Sequence, residues 1–216
     1  MKITKYVHAC LLVETPERVA IFDPGTMSEQ ALDVEARTRL DDIFSTHEHA
    51  DHFSVDLVKR LVQKFPELRI TSTPDVVARL AEESIKATDQ PSEGVSFFDA
   101  PHESIKPLFP KQPQEIGIHY LEALSDPGDS HSFHETKAIL ALPVQAPWGS
   151  TIKAISLGLE LKPQHILPIH DWHWSDAARE QIYSTMERVF GEQGITFHKL
   201  VTGQPIEIDL SAKAET

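Results

Sequence analysis

The sequence has one cysteine and no long apolar segment, and both absences restrict the class of protein it encodes. Cys10 is the only cysteine, so no intrachain disulfide can form, which excludes a disulfide-stabilised secreted scaffold. It lies in the apolar run "HACLLVE", where we expect a small buried side chain. No run reaches the length of a membrane span, and residues 9–13 are too few for the apolar region of a signal peptide. We therefore expect a soluble cytoplasmic protein with no membrane partner.

Basic residues are also scarce. The 216-residue chain carries 20 Lys and Arg against 33 Asp and Glu, a formal net charge of −13. Nucleic-acid binding depends on clustered basic side chains, so this charge argues against a nucleic-acid partner and favours a small-molecule substrate. With 40% hydrophobic and 25% charged residues, the composition is that of a globular protein, and the length predicts one domain over residues 1–216.

Hydrophobic patterning predicts an α/β fold with two groups of strands. The first 23 residues contain three short apolar runs broken by turns, which indicates an antiparallel start to a sheet. Further strands are predicted over residues 41–47, 69–73, 95–100, 115–124, 137–144, 165–170 and 195–201. Helices are predicted over residues 28–40, 54–65, 74–84, 150–161 and 175–190, and a loose tail over residues 211–216. This order favours two sheets with helices packed outside them.

The stretch "STHEHADHF" concentrates metal-binding side chains in one turn between a predicted strand and a predicted helix. It contains His47, His49, Asp51 and His52 in the spacing H-x-H-x-D-H. Imidazole nitrogens and a carboxylate suit a divalent ion such as Zn²⁺. One ion cannot easily use all four ligands from so tight a turn. The pattern therefore predicts that the first two histidines address one ion and the Asp-His pair a second, as a two-metal hydrolase requires.

These residues carry a resemblance to a known family. "THEHADHF" resembles the signature turn of the metallo-β-lactamase superfamily, and "APHES", "PGDS" and "LPIHDWH" resemble, in the same order, its later ligand segments. "PGDS", "LPVQAPWGS" and "LPIHD" together resemble uncharacterised metal-dependent hydrolases near the ascorbate-6-phosphate lactonase-like proteins. With the two strand groups, the resemblance implies a four-layer αββα sandwich in which two mixed sheets carry helices on their outer faces.

The resemblance also implies two ligand sets. The first metal is assigned to His47, His49 and His102, and the second to Asp51, His52 and His170. Asp129 is assigned as the carboxylate that bridges both metals.

Each of the later ligands has a rival nearby in the sequence. His119 is the alternative to His102, Asp126 to Asp129, and His173 to His170. Candidates for lining a substrate pocket are His131, His134, Trp148, Trp172 and Trp174, although we expect the tryptophans mainly to pack. Structural roles are assigned to His8, His165 and His198.

Two divalent ions that share a carboxylate lower the pKa of water, so a hydroxide nucleophile forms without a serine or cysteine. Asp51 and Asp129 are expected to position it, and the expected reaction is hydrolysis of a small ester, lactone, amide or phosphodiester. Zn²⁺ is the expected metal, with Mn²⁺ and Fe²⁺ as alternatives. The other interpretations are a di-iron redox protein of the same fold and a metal-binding module without turnover.

Overall fold

Two six-stranded sheets form the centre of the protein, whose computed structural model describes residues 1–108 and 110–210. The first sheet contains β1 (Lys2–Lys5), β2 (Leu11–Glu14), β3 (Val19–Phe22), β4 (Asp42–Phe44), β5 (Arg69–Thr71) and β12 (Pro205–Glu207). The second contains β6 (Val95–Phe98), β7 (Gly117–Tyr120), β8 (Leu124–Asp126), β9 (Ile139–Pro143), β10 (His165–Ile169) and β11 (Thr196–Phe197).

Both sheets are mixed. The first has the order β12-β1-β2-β3-β4-β5, antiparallel up to β3 and parallel from β3 to β5. The second has the order β11-β10-β9-β8-β7-β6, parallel from β11 to β8 and antiparallel from β8 to β6. The predicted antiparallel start and the predicted second sheet are therefore both confirmed.

Four helices cover the outer faces of the sheets: α1 (Val55–Lys64), α2 (Pro74–Glu82), α3 (Thr151–Leu161) and α4 (Asp176–Gly191). Serine side chains cap three of their starts. Ser54 Oγ, for example, accepts the N–H of Leu57 at 3.1 Å, and Ser175 Oγ accepts that of Ala178 at 3.3 Å. These bonds satisfy backbone donors that a helix start leaves unpaired.

Three buried clusters show how the layers stack. The central cluster joins side chains of both sheets, such as Phe22 and Phe44 from the first and Tyr120 from the second. A second cluster joins the first sheet to α1 and α2, and a third joins the second sheet to α3 and α4. The predicted four-layer αββα sandwich is confirmed.

The helix predicted over residues 28–40 is wrong. The chain forms a short 3₁₀ turn over Thr26–Ser28 and then irregular turns. Ser28 does not act as a helix cap, because its Oγ donates to the carbonyl of Val7 at 3.0 Å. Asp33 Oδ1 accepts the N–H of Ala36 at 3.1 Å, a local bond that competes with helical pairing. The apolar spacing reflects burial against the first sheet, as at Leu32.

Two strand predictions also need correction. Residues 115–124 form a hairpin instead of one strand, because Leu121 and Glu122 adopt positive φ angles of 52° and 53° between β7 and β8. The short edge strand β12 was missed, since its proline and its length give no strand pattern. The predicted loose tail, residues 211–216, lies outside the described residues. Within the described ranges, no helix has the length and apolar character that crossing a membrane requires.

Candidate metal centre

The turn between β4 and α1 places four of the predicted ligands at the edge where the two sheets meet. Asp23, at the end of β3, fixes this turn through hydrogen bonds from Thr46 N–H at 2.7 Å and Thr46 Oγ1 at 3.0 and 3.1 Å. Ser45 Oγ lies 3.1 Å from the carbonyl oxygen of His52, to which it donates. The turn is therefore held by buried polar contacts, so its side chains converge inward.

The other three predicted ligands come from the second sheet. His102 follows β6, Asp129 lies in the loop between β8 and β9, and His170 directly follows β10. The structure brings all seven predicted ligands together in two adjoining groups, one of which also contains His8.

In the first group, ring nitrogens of His47, His49 and His102 face one another. His47 Nε2 lies 3.0 Å from His49 Nδ1, which lies 3.2 Å from His102 Nε2. Two ligands of a tetrahedral zinc ion lie about 3.3–3.6 Å apart, given metal–ligand bonds of about 2.0–2.2 Å. The spacing of these three nitrogens therefore fits one small divalent ion.

In the second group, the facing atoms belong to Asp51, His52 and His170. His52 Nε2 lies 3.3 Å from His170 Nε2. Asp51 Oδ2 lies 3.9 Å from His52 Nε2 and 3.7 Å from His170 Nε2. The first separation equals an edge of one coordination tetrahedron, and the two to Asp51 are slightly longer than such an edge.

Asp129 lies between the two groups, with one carboxylate oxygen directed to each. Its Oδ1 lies 2.9 Å from His52 Nε2 and 2.8 Å from His170 Nε2. Its Oδ2 lies 3.5 Å from His102 Nε2 and 4.0 Å from His47 Nε2. One carboxylate thus contacts both sets of ring nitrogens.

The far sides of three ligand imidazoles bond acceptors that orient the ring, and a fourth lies beside a carboxylate. His52 Nδ1 lies 2.7 Å from Asp23 Oδ2, and His47 Nδ1 lies 3.0 Å from Glu115 Oε2. His102 Nδ1 bonds the carbonyl of Glu103 at 2.6 Å, and His170 Nδ1 bonds that of Gln145 at 3.0 Å. Because the Nδ1–H groups of His52, His102 and His170 donate away from the centre, their Nε2 atoms present lone pairs inward, as metal-binding histidines do. The donor set therefore fits divalent metal ions.

The pKa shifts of the buried carboxylates and histidines also fit a metal-binding site. Burial alone would raise the pKa of Asp129, but His170 and His52 hold it well below its usual range. Burial opposes a charge on His52, yet Asp129 and Asp23 raise its pKa well above the usual value. Positive charge is therefore favoured between these carboxylates, which is the condition a bound cation requires. Burial lowers the pKa of His47, so this ring stays neutral and able to bind metal.

A cavity of about 430 Å³ opens onto both groups. His102, Asp129 and His170 form part of its floor, and Trp148 and Leu108 stand on its walls. The indole Nε1–H of Trp148 donates to Asp129 Oδ2 at 3.1 Å. A small molecule can therefore reach both groups from solvent.

Comparison with known proteins identifies the family. The family model described as "Beta-lactamase superfamily domain" matches residues 2–170. This chain belongs to the β-lactamase superfamily. Protein Rv0786c of Mycobacterium tuberculosis is 29% identical over 180 residues, which are 79% of this chain and 84% of that protein.

Solved structures agree on the fold of this superfamily member. Igni18, a metallo hydrolase from the archaeon Ignicoccus hospitalis, is 14% identical with a TM-score of 0.68, covering 96% of this chain and 99% of its own. CmlA, a diiron β-hydroxylase from Streptomyces venezuelae, is 12% identical with a TM-score of 0.63, covering 96% of this chain and 54% of its own. At these identities the similarity shows the metallo-β-lactamase sandwich, as the sequence predicted.

The rival residues have other contacts in this superfamily member. His119 lies on β7, where Ser125 Oγ bonds its Nδ1 at 2.9 Å and its ring stacks on Phe98. Asp126 is buried and accepts the N–H of Gly128 at 3.1 Å. His173 is an exposed residue that lines the cavity.

The five candidates for lining a substrate pocket differ in their surroundings. His131 Nε2 lies 2.6 Å from the carbonyl of Pro143, to which it donates, and His134 is exposed. Trp174 packs beside Tyr183, as expected of a packing tryptophan. Trp148 lines the cavity, as its candidacy for the pocket predicted, whereas Trp172 is 53% exposed and does not pack as expected.

Three residues of the centre were not identified from the sequence. Asp23 and Glu115 contact ligand histidines from 29 and 68 positions away, and neither belongs to the dense motif. His8, for which the sequence indicated only a structural role, lies in the second group, with Nε2 3.1 Å from Asp51 Oδ2. The position of Asp23 at a strand end, before "PG", was the one available signal.

Gly25 lies against the backbone of Asp51, in the turn between β4 and α1, so substituting it tests whether this close contact stabilises the turn. A Cβ at Gly25 would lie 1.9 Å from the carbonyl oxygen of Asp51, so the backbone that carries Asp51 and His52 must shift. We expect Gly25→Ala to lower the free energy of unfolding by about 1–3 kcal/mol and to weaken binding of the second metal ion. Urea unfolding and metal titration measure the two effects.

Gly191→Ala is the matched control, because a Cβ there meets nothing within 4 Å. It should leave metal binding unchanged. Wild-type stability and wild-type metal affinity in Gly25→Ala would contradict the support role of this contact.

Proposed function

We propose that this protein is a metal-dependent hydrolase that holds two divalent metal ions, with Zn²⁺ the first candidate and Mn²⁺ or Fe²⁺ the alternatives. His47, His49 and His102 would hold the first ion, and Asp51, His52 and His170 the second. Asp129 would be shared by both. The observation that carries this proposal is the position of Asp129, with one oxygen directed to each group of nitrogens.

When bound, two such ions polarise the substrate's carbonyl or phosphoryl oxygen and lower the pKa of water toward neutrality. Residues of the chain set the spacing of the two groups and orient the attacking water. Asp129 fixes the spacing of the two groups through its two oxygens. The side chain of Asp51 is 27% exposed and lines the cavity, so its carboxylate can orient the attacking water.

Proton transfer also falls to Asp51. Burial alone would raise its pKa, but the hydrogen bond from His8 and the charge of His52 lower it, so the group is ionised at neutral pH. An ionised carboxylate beside the reacting atoms can accept a proton from water and pass it to the leaving group. The substrate is a small ester, lactone, amide or phosphodiester.

The test is to remove metal with a chelator, reload the protein separately with Zn²⁺, Mn²⁺ and Fe²⁺, and assay a panel of those four substrate classes. We expect about two ions per chain and metal-dependent hydrolysis of at least one class. Two bound ions without hydrolysis of any class would instead support a metal-binding module. Iron with redox-active spectra and no hydrolysis would support a di-iron redox protein of the same fold.

A further inference from the structure

The cavity above the two groups has apolar walls. Its lining includes Met27, Ile105, Leu108, Pro147 and Trp148, together with the ligands on its floor. Leu108 is 67% exposed and is one of the few large apolar side chains that the described residues leave in solvent. An exposed leucine at the wall of a reactive centre is a contact surface for an apolar group.

Cationic side chains are absent from the lining in the described parts of the chain. Two lysines near the ligand segments pair with carboxylates. Lys153 Nζ lies 2.7 Å from Glu103 Oε1, next to His102, and Lys111 Nζ lies 3.9 Å from Glu48 Oε1. A phosphate or carboxylate carried on the substrate away from the reacting bond would therefore meet no lysine or arginine among the described lining residues, and the chain's net charge of −13 would oppose it.

We propose, on the basis of the hydrolase function above, that the substrate is an ester or lactone whose acyl part is an uncharged alkyl or aryl group. The apolar group packs against Leu108 and Trp148 while the carbonyl lies over the ligand groups. Water adds to the carbonyl carbon, the ester C–O bond breaks, and the departing alkoxide takes up a proton, giving a carboxylic acid and an alcohol. A phosphorylated lactone, which the narrower sequence resemblance suggested, does not suit this pocket.

The experiment measures kcat/KM of the metal-loaded protein for 4-nitrophenyl acetate, butyrate and hexanoate, with bis(4-nitrophenyl) phosphate as the anionic comparison. We expect kcat/KM to rise about three-fold or more per added methylene as the chain becomes buried, and the anionic diester to be the poorest substrate. Leu108→Ser should lower the hexanoate-to-acetate ratio about five-fold or more. Ile152→Ser, which removes an equally exposed apolar side chain on α3, should leave that ratio unchanged.

The outcomes separate this inference from the function it rests on. Equal rates for acetate and hexanoate, an unchanged ratio in Leu108→Ser, or preference for the diester would overturn the apolar-substrate inference and leave a hydrolase. No metal-dependent hydrolysis of any of these substrates, or of the lactones and amides in the four-class panel, would overturn both.

An independent observation concerns His8, in the turn between β1 and β2. His8 has a φ of 66° and His170 a φ of 65°, a region that costs energy for residues other than glycine. The backbone N–H of His170 donates to the carbonyl of His8 at 3.2 Å, and the two rings lie 3.7 Å apart between centroids. The same ring places Nε2 3.1 Å from Asp51 Oδ2, with its side chain fully buried.

We infer that His8 is a positioning residue for the second metal ion of the proposed function. Its Nε2–H donates to the carboxylate of Asp51, and its ring and carbonyl hold His170 in place. The distance between Asp51 and His170, which come from different sheets, is therefore fixed. Strain at both positive-φ histidines is retained because this contact joins the sheets at the centre.

The test compares His8→Ala with His8→Gln, whose side-chain amide can still donate a hydrogen bond. Metal content is measured by elemental analysis, and second-site geometry by the visible absorption spectrum of the Co²⁺-loaded protein. His8→Ala should bind the second ion about 10–100-fold more weakly and change the Co²⁺ spectrum, while keeping the first ion. His8→Gln should restore part of both.

His198→Ala is the control, since this histidine pairs with His165 away from the centre at 3.2 Å. Two ions bound with wild-type affinity and spectrum in His8→Ala, or no rescue by His8→Gln, would overturn the inference. A wild-type protein that binds fewer than two ions would overturn the two-metal proposal itself.

Discussion

Asp129→Asn should reduce the metal content from about two ions per chain toward one and abolish most hydrolysis. The substitution keeps the size of the side chain but removes its charge, and two cations a few ångströms apart need a shared anion to offset their repulsion. We expect kcat/KM to fall by about 100-fold or more, because the reaction depends on both ions. Elemental analysis and hydrolysis of the substrate found in the panel measure both effects.

Asp126→Asn is a closely matched control. Burial, with the nearby charge of Asp23, raises the pKa of Asp126 well above its usual value, which favours the neutral acid. An asparagine is nearly isosteric with that acid and keeps the acceptor for the N–H of Gly128. Metal content and rate should stay close to wild type. Loss of metal in Asp126→Asn with full metal in Asp129→Asn would show that the wrong carboxylate was assigned.

His47→Ala should remove the first ion and most activity while the fold stays intact. His47 is completely buried, and its Nε2 contributes to the first group from the same turn that carries three other ligands. Loss of a residue that merely orients a ligand weakens metal binding about 10–100-fold, so loss of the ligand itself should cost at least about 100-fold. Metal titration, turnover and circular dichroism together distinguish metal loss from unfolding.

His119→Ala is the comparison, because His119 is a buried histidine on β7 whose partners are Ser125 and Phe98. It removes the same chemical group at similar burial. Full metal occupancy with unchanged turnover in His47→Ala would refute the ligand assignment, as would equal metal loss in both variants.

The sequence predicted those helices and ligands whose pattern lies within one short segment of the chain. Hydrophobic patterning predicted α1 and α4, and the H-x-H-x-D-H spacing placed four candidate ligands in one turn. His102, Asp129 and His170 have no such local pattern, and the family resemblance was needed to select them over their rivals.

Contacts over long sequence separations explain what was missed. His8 meets Asp51 across 43 positions, and no periodicity links the two. The false helix over residues 28–40 has the opposite cause, since helical spacing was present but side chains of Ser28 and Asp33 bonded the backbone in other ways.

Anomalous diffraction from crystals of the metal-loaded protein, recorded at the absorption edge of the bound metal, tests the central claim most directly. The two-metal account predicts two peaks about 3.5–4 Å apart, one among His47, His49 and His102 and the other among Asp51, His52 and His170, with Asp129 oxygens directed to both. A single peak, or two peaks that Asp129 does not join, would contradict it.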